Sequence, residues 1–187
     1  MLCGLPRSGK DEFAKAIKSH HNIEIYSFAL PIKQMCCAAF GWKLEDFEND
    51  NKDIIDPYWN ISMRQAMEYI GTKIMRNDIR KEFPLFDQLI GERIWVKRFE
   101  KFYLENKHKD IIVTDLRYNP EYEFFQSIKQ FKKIIQINRP NCDETKWYDI
   151  KNFKTDIELE NNETLLQHHE KAVELYDLLQ KEKQQCK

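Results

Sequence analysis

Gly4-Leu5-Pro6-Arg7-Ser8-Gly9-Lys10 sets two glycines and a lysine at the spacing G-x-x-x-x-G-K. This is the pattern of a loop that turns its backbone N–H groups inward around phosphate oxygens. Glycine permits the backbone angles such a turn requires. Phe13, Ala16 and Ile17 then recur at helical spacing from Lys10 onward, which directs the positive end of a helix dipole at the same anion. Gly4, Arg7, Ser8, Gly9 and Lys10 are thus candidate phosphate contacts, with Lys10 supplying a mobile charge for the β- and γ-phosphates. Asp11 stands where serine or threonine ordinarily holds Mg²⁺; a carboxylate can bind a hard cation directly or through water.

A second candidate lies at the end of the run Asp110-Ile111-Ile112-Val113-Thr114-Asp115. Phosphoryl transfer needs a carboxylate near Mg²⁺, and Asp115 is placed for it, so the metal is assigned to Asp11 or Asp115. The plain alternative is an aspartate that only ends a strand. Arg117, two residues on, either meets phosphate or braces Asp115.

The elements that must position these groups alternate short apolar runs with helical patterns, an α/β arrangement. The strand before the loop is reduced to Met1-Leu2-Cys3, and Ile23–Phe28 reads as a second strand. Pro31 opens a helix through Ala39 that stops at Gly41. Residues 44–60 are acidic, aromatic and irregular, a surface excursion. Ser62 and Gln65 fit a capping box, after which Met63, Ala66, Met67, Ile70 and Ile74 mark the buried stripe of one long helix. A helix over 92–106, the strand 110–115, a helix from an Asn119 N-cap to about Phe131 and a strand over 133–138 follow. Residues 139–153 read as a lid, 156–160 as a weaker strand, and a last helix from Glu163 carries Leu166, His169, Val173, Tyr176 and Leu179. His168 and His169 are read as surface or packing residues.

The chain has 187 residues, 42% of them hydrophobic, enough to bury a core without staples. Thirty basic and thirty-one acidic side chains leave a net charge of −1, which disfavours a polynucleotide partner. No apolar run is long enough to cross a membrane. Five cysteines, an odd number without zinc-site spacing, read as reduced thiols of a cytoplasmic protein.

These motifs, in this order, resemble the deoxynucleoside monophosphate kinases of phages and large DNA viruses. Gly4–Asp11 has that family's Gly-Lys-Asp loop, and Ser27-Phe28-Ala29-Leu30-Pro31-Ile32-Lys33 is similar to its SFA-x-P-hydrophobic-K segment. Arg64, Met67, Gly71, Thr72 and Arg76 fall on its arginine- and Gly-Thr-bearing helix. Trp95-Val96, Asp115-Leu116-Arg117-Tyr118 and Asn138-Arg139-Pro140 resemble its tryptophan motif, its D-x-R-aromatic turn and the start of its lid. Glu68 replaces the usual glutamine and Lys73 the usual glutamate; the H-x-S-E lid motif is absent, with Asp143-Glu144-Thr145 in that region.

The resemblance implies a single P-loop kinase domain, a three-layer α/β/α fold with a parallel sheet. It also implies an acceptor-covering region over 29–107 and a lid over 139–153 that closes on ATP. It implies ATP and Mg²⁺ as cofactors, small nucleotide substrates and, if the source is viral, the host cytoplasm; a homodimer is left open. Phe28, Lys33, Arg64, Glu68, Thr72, Arg76 and Trp95 become acceptor-site candidates, and Arg139 a lid residue for adenine or the transferring phosphoryl. Arg64 is either a phosphate ligand or the partner of Glu68 in a surface pair; Lys33 and Arg139 are contacts or solvated cations. Phe28 and Trp95 are base-stacking or core aromatics. The chain also looks similar to animal-type phosphomevalonate kinases at the loop and the Asp-x-Arg turn. A nucleotide-binding protein without transfer activity is the reading from another class.

Overall fold

The computed structural model describes residues 1–48, 50–142 and 149–185. Its elements in chain order are β1 (Leu2–Cys3), α1 (Lys10–His20), β2 (Ile23–Tyr26), α2 (Leu30–Phe40), β3 (Ile55–Asp56), β4 (Ile61–Ser62) and α3 (Met63–Glu68). A π-helical stretch (Tyr69–Asp78), α4 (Ile79–Glu82), α5 (Pro84–Leu89), α6 (Ile94–Asn106) and β5 (Asp110–Val113) follow. The chain continues through α7 (Asn119–Ser127), β6 (Ile135–Asn138), β7 (Ile157–Glu160) and α8 (Leu165–Gln185). Residues 1–27 and 101–187 form one unit and residues 28–100 another.

The first unit is α/β with parallel strands. β6 pairs with both β1 and β7, and β2 pairs with β5, all parallel. The Leu116 N–H donates to Leu2 O at 3.3 Å, which sets the end of β5 beside β1 and gives the order β2-β5-β1-β6-β7. Because side chains alternate along a strand, Leu2, Ile23, Ile135 and Ile137 share a face, and α1 covers it with Phe13, Ala14, Ala16 and Ile17. α8 joins the same cluster through Ala172, Leu175, Tyr176 and Leu179. Tyr26 points the other way and packs on Phe102 of α6, ring centroids 4.9 Å apart.

α8 keeps Tyr176 and Leu179 of the face read from the sequence and corrects its first turns. His168 and Ala172 are its buried residues, whereas Leu166 is 67% exposed. Its far half is tied to the sheet by Asp110, whose carboxylate accepts from Tyr176 Oη and Gln180 Nε2, each at 2.8 Å, and from Lys183 Nζ. Asp110→Ala is expected to lower the unfolding free energy by about 1–3 kcal/mol, because three donors lose one half-buried acceptor. Urea unfolding of the two proteins measures it as a shift in midpoint at constant slope.

In the second unit Cys36, Phe47 and Ala66 make a small core with Ile32, Trp42, Met63, Met67 and Ile70. The irregular region holds a hairpin, β3 antiparallel to β4, braced by Trp42 Nε1 donating to Asp56 Oδ2 at 2.7 Å. The capping box at Ser62 is formed: Ser62 Oγ accepts from Gln65 N and Gln65 Oε1 from Ser62 N. The long α-helix predicted after it is not continuous. It changes to π geometry at Tyr69, and Ile74 comes out 38% exposed. The cause lies at Gly71: its carbonyl accepts from the buried Trp95 indole at 3.0 Å. Its missing side chain also makes room for Ile32, whose Cδ1 would lie 2.7 Å from a Cβ.

Candidate phosphate-binding site

Parallel strands place the ends that carry chemistry on one edge. β1 runs into Gly4, β5 into Asp115, β6 into Arg139 and β7 into Asn161. The loop after β1 keeps the positive φ its glycines predict, 136° at Gly4 and 99° at Gly9, and Arg7 adds a third at 67°. Gly4 is also held against β6, since a Cβ there would lie 2.3 Å from Ile137 O. Asp11 and Glu12 in the first turn of α1 are accompanied by a buried Lys10.

Lys10 folds back over the loop. Its Nζ donates to Gly4 O at 3.0 Å, Leu5 O at 2.7 Å and Ser8 Oγ at 3.1 Å. Burial, with added repulsion from Arg117, brings its ammonium down from the ordinary 10.5 to about 8, while Asp11 and Asp115 oppose the shift. The loop lysine, Arg117 and both candidate carboxylates therefore share one electrostatic field. An ammonium enclosed this way gains when an anion replaces neutral carbonyls as its partner.

A pH dependence follows from the sign of that shift. Below pH 8 Lys10 is charged in the free loop; above it the free loop loses the proton that a bound polyphosphate retains. Triphosphate affinity should therefore fall above pH 8, by up to about tenfold per unit. The unliganded fold should gain stability over the window from about 8 to 10.5, where the unfolded chain binds the extra proton. Calorimetric ATP titrations on either side of pH 8 check the first, and denaturant melts the second.

Asp115 is 8% exposed and accepts from Ser27 Oγ at 2.8 Å. The turn after it is shaped by Glu121, whose buried carboxylate takes Arg117 N at 2.9 Å and Tyr118 N at 3.2 Å. Asn119 does not cap α7; its own N–H donates to Asp149 Oδ2 at 3.0 Å. Asp149, Ile150 and Phe153, expected within the lid, are thereby docked: Ile150 and Phe153 are buried, and Phe153 stacks on Tyr122. Asp143-Glu144-Thr145 lie outside the described residues. Asp11, Arg7 and Arg139 are exposed.

Among the described residues no three potential metal-ligating side chains cluster. Asp115 with Ser27 offers hard oxygen atoms, and Mg²⁺ commonly takes only one or two carboxylates while phosphate and water complete its shell. The donor set suits that ion.

The second unit holds the acceptor-site candidates. Arg64 makes a two-point contact with Asp53 through Nε and Nη2, and Glu68 is exposed. Thr72 is exposed on the π-helical stretch, and Arg76 and Lys33 are partly buried. Trp95 and Phe28 are both buried; Phe28 packs edge-on against Phe99 at 5.6 Å.

The sequence reading missed two residues at the loop. Asn161 Nδ2 donates to Ser8 O at 2.9 Å, and His168 Nε2 lies 3.1 Å from Gly9 O. Their signals were a polar residue ending a strand and a histidine one position from the assumed apolar stripe.

No model of a known protein family matches the chain. It is similar, at 24% identity over 94% of its length and 94% of the relative's, to a protein of Acanthamoeba polyphaga mimivirus named "Putative deoxynucleotide monophosphate kinase". Among solved structures it is similar to dephospho-CoA kinase from Campylobacter jejuni, with a TM-score of 0.49, 14% identity and 94% of each chain covered.

Proposed function

We propose that this chain transfers the γ-phosphoryl group of ATP to the phosphate of a deoxynucleoside monophosphate, giving the diphosphate. The observation that carries the reading is the Lys10 ammonium, enclosed by Gly4 O, Leu5 O and Ser8 Oγ in a left-handed glycine loop at the head of α1. Asp115 and Arg117 stand at the neighbouring strand end. The similarity along most of the chain to the mimivirus protein of that name supports the choice of acceptor.

In this reading the loop amides and Lys10 bind the β- and γ-phosphates, Nζ leaving the loop carbonyls for phosphate oxygens. An acceptor phosphate oxygen attacks the γ-phosphorus in line, the bond to the β,γ-bridging oxygen breaks, and ADP leaves without a phosphoenzyme. Such catalysis is mostly positioning and charge stabilisation. Mg²⁺, held by Asp115 or Asp11, would supply neutralising charge on the donor oxygens. Arg117 offsets repulsion between the two anions.

Arg64 and Arg76, with Lys33, engage the acceptor phosphate. The paired geometry in which Arg64 holds the Asp53 carboxylate also matches a phosphate. Thr72 and Glu68 are the side chains for the base. Phe28 and Trp95, being buried, support that region from within. Arg139, exposed at the end of β6, meets the adenine or the transferring phosphoryl.

The test is a coupled assay of ADP release with dAMP, dCMP, dGMP, dTMP and phosphomevalonate. Release that depends on at least one deoxynucleotide, with phosphomevalonate inert, is expected. Release with phosphomevalonate alone would move the acceptor class. ATP uptake with no acceptor-dependent release would assign a binding role without transfer.

A further inference from the structure

We infer that Asn161 and His168 are positioning residues of the phosphate-binding loop, holding the outward carbonyls of Ser8 and Gly9 so that the Gly9 and Lys10 amides stay turned toward a polyphosphate. The inference rests on the loop being the ATP site.

A loop that points N–H groups at an anion must point its carbonyls the other way. Where that side is buried, each carbonyl needs a donor. Ser8 is 0% exposed, and its carbonyl takes the Asn161 amide at 2.9 Å. The Gly9 carbonyl accepts from Phe13 N at 2.9 Å within α1, and its second lone pair faces His168 Nε2 at 3.1 Å. A carbonyl only accepts, so that ring nitrogen carries the proton.

Both donors are fixed from behind. Asn161 is 6% exposed and its own N–H donates to Asn138 O at 2.7 Å, tying it to the ends of β6 and β7. His168 is 3% exposed, lies in the first turn of α8, and packs on Phe13 with ring centroids 5.6 Å apart. Gly9 supplies independent support. A Cβ there would lie 2.4 Å from Asn161 Nδ2 and 2.9 Å from His168 Nε2, so the clamp occupies the space a side chain would need.

The peptide units explain the consequence. The Ser8 carbonyl shares its peptide with the Gly9 N–H, and the Gly9 carbonyl with the Lys10 N–H. A donor on each carbonyl polarises the amide on the other side and makes its N–H a stronger donor. Those two amides open α1, where the helix dipole adds to them. Residues more than 150 positions away thus set both the direction and the strength of the loop's anion contacts.

The test is calorimetric ATP titration of the full chain and of Asn161→Ala, His168→Met and His168→Gln, with melting temperatures taken alongside. Glutamine keeps an N–H near the position of Nε2; methionine fills the space without one. The expected result is an ATP dissociation constant raised about tenfold in Asn161→Ala and in His168→Met, the size of one lost buried hydrogen bond. His168→Gln should stay within about threefold of the natural protein. Equal affinities in folded variants, or equal losses in the glutamine and methionine variants, would overturn the inference. Absence of ATP uptake by the natural protein would instead overturn the reading of the loop itself.

Discussion

Lys10→Ala is expected to reduce ATP-dependent phosphoryl transfer by about a thousandfold, the upper range for removing one preorganised charge from a transition state. The ammonium is enclosed before any ligand arrives, donating to Gly4 O, Leu5 O and Ser8 Oγ. In the proposed mechanism it exchanges these acceptors for phosphate oxygens. Two opposing terms limit the effect on folding. The variant loses these hydrogen bonds, yet it also relieves the burial that brings the ammonium down to about 8. The fold should persist, and the loss should appear in turnover at saturating ATP, measured with thermal melts of the same samples. Lys10→Arg should not restore activity, because a planar fork does not replace a compact ammonium in so small a space.

Asp115→Asn should cost about a hundredfold in turnover. Asparagine is close in shape, and its amide oxygen can still accept from Ser27 Oγ, the 2.8 Å contact that holds Asp115 in place. What disappears is the negative charge. Mg²⁺ dependence should weaken, seen as a higher metal concentration for half-maximal rate. Asp115 is also one of the carboxylates that raise Lys10 against burial. Its removal should therefore shift the decline in ATP affinity to a pH below 8. Unchanged turnover and metal dependence in the Asp115→Asn variant would remove Asp115 from the mechanism.

The loop was legible because its determinants are local. Gly4, Gly9 and Lys10 lie within seven residues, and the backbone angles demanded of the glycines are the ones observed. Asp115 was legible because an apolar run ends in a carboxylate, and parallel pairing of β5 fixes which edge that end faces. Asn161 and His168 were not legible as loop partners. Their carbonyl acceptors lie 153 and 159 residues away, and neither residue type in isolation indicates what it will meet. The stripe assigned to α8 holds at Tyr176 and Leu179 and fails in the first turns for a related reason: a polar His168 faces inward to reach Gly9 O.

The change at Tyr69 shows a different limit. Met63, Ala66, Met67 and Ile70 fit an α-helical face, and they do pack in the core with Cys36 and Phe47. The turn opens where the Trp95 indole takes the Gly71 carbonyl from 24 residues away, a tertiary contact that periodicity cannot register. Arg64 illustrates the same point with charge. Spacing points to Glu68 alone, whereas Asp53, from a stretch with no regular pattern, makes a two-point contact with Arg64.

The most direct test of the central claim is to follow the γ-phosphorus itself. Phosphorus NMR of the full chain with MgATP and an equimolar mixture of the four deoxynucleoside monophosphates should show a deoxynucleoside diphosphate β-resonance growing as the ATP γ-resonance declines, with no such growth in Lys10→Ala. A γ-resonance that stays constant, or that passes only into inorganic phosphate, would contradict the account.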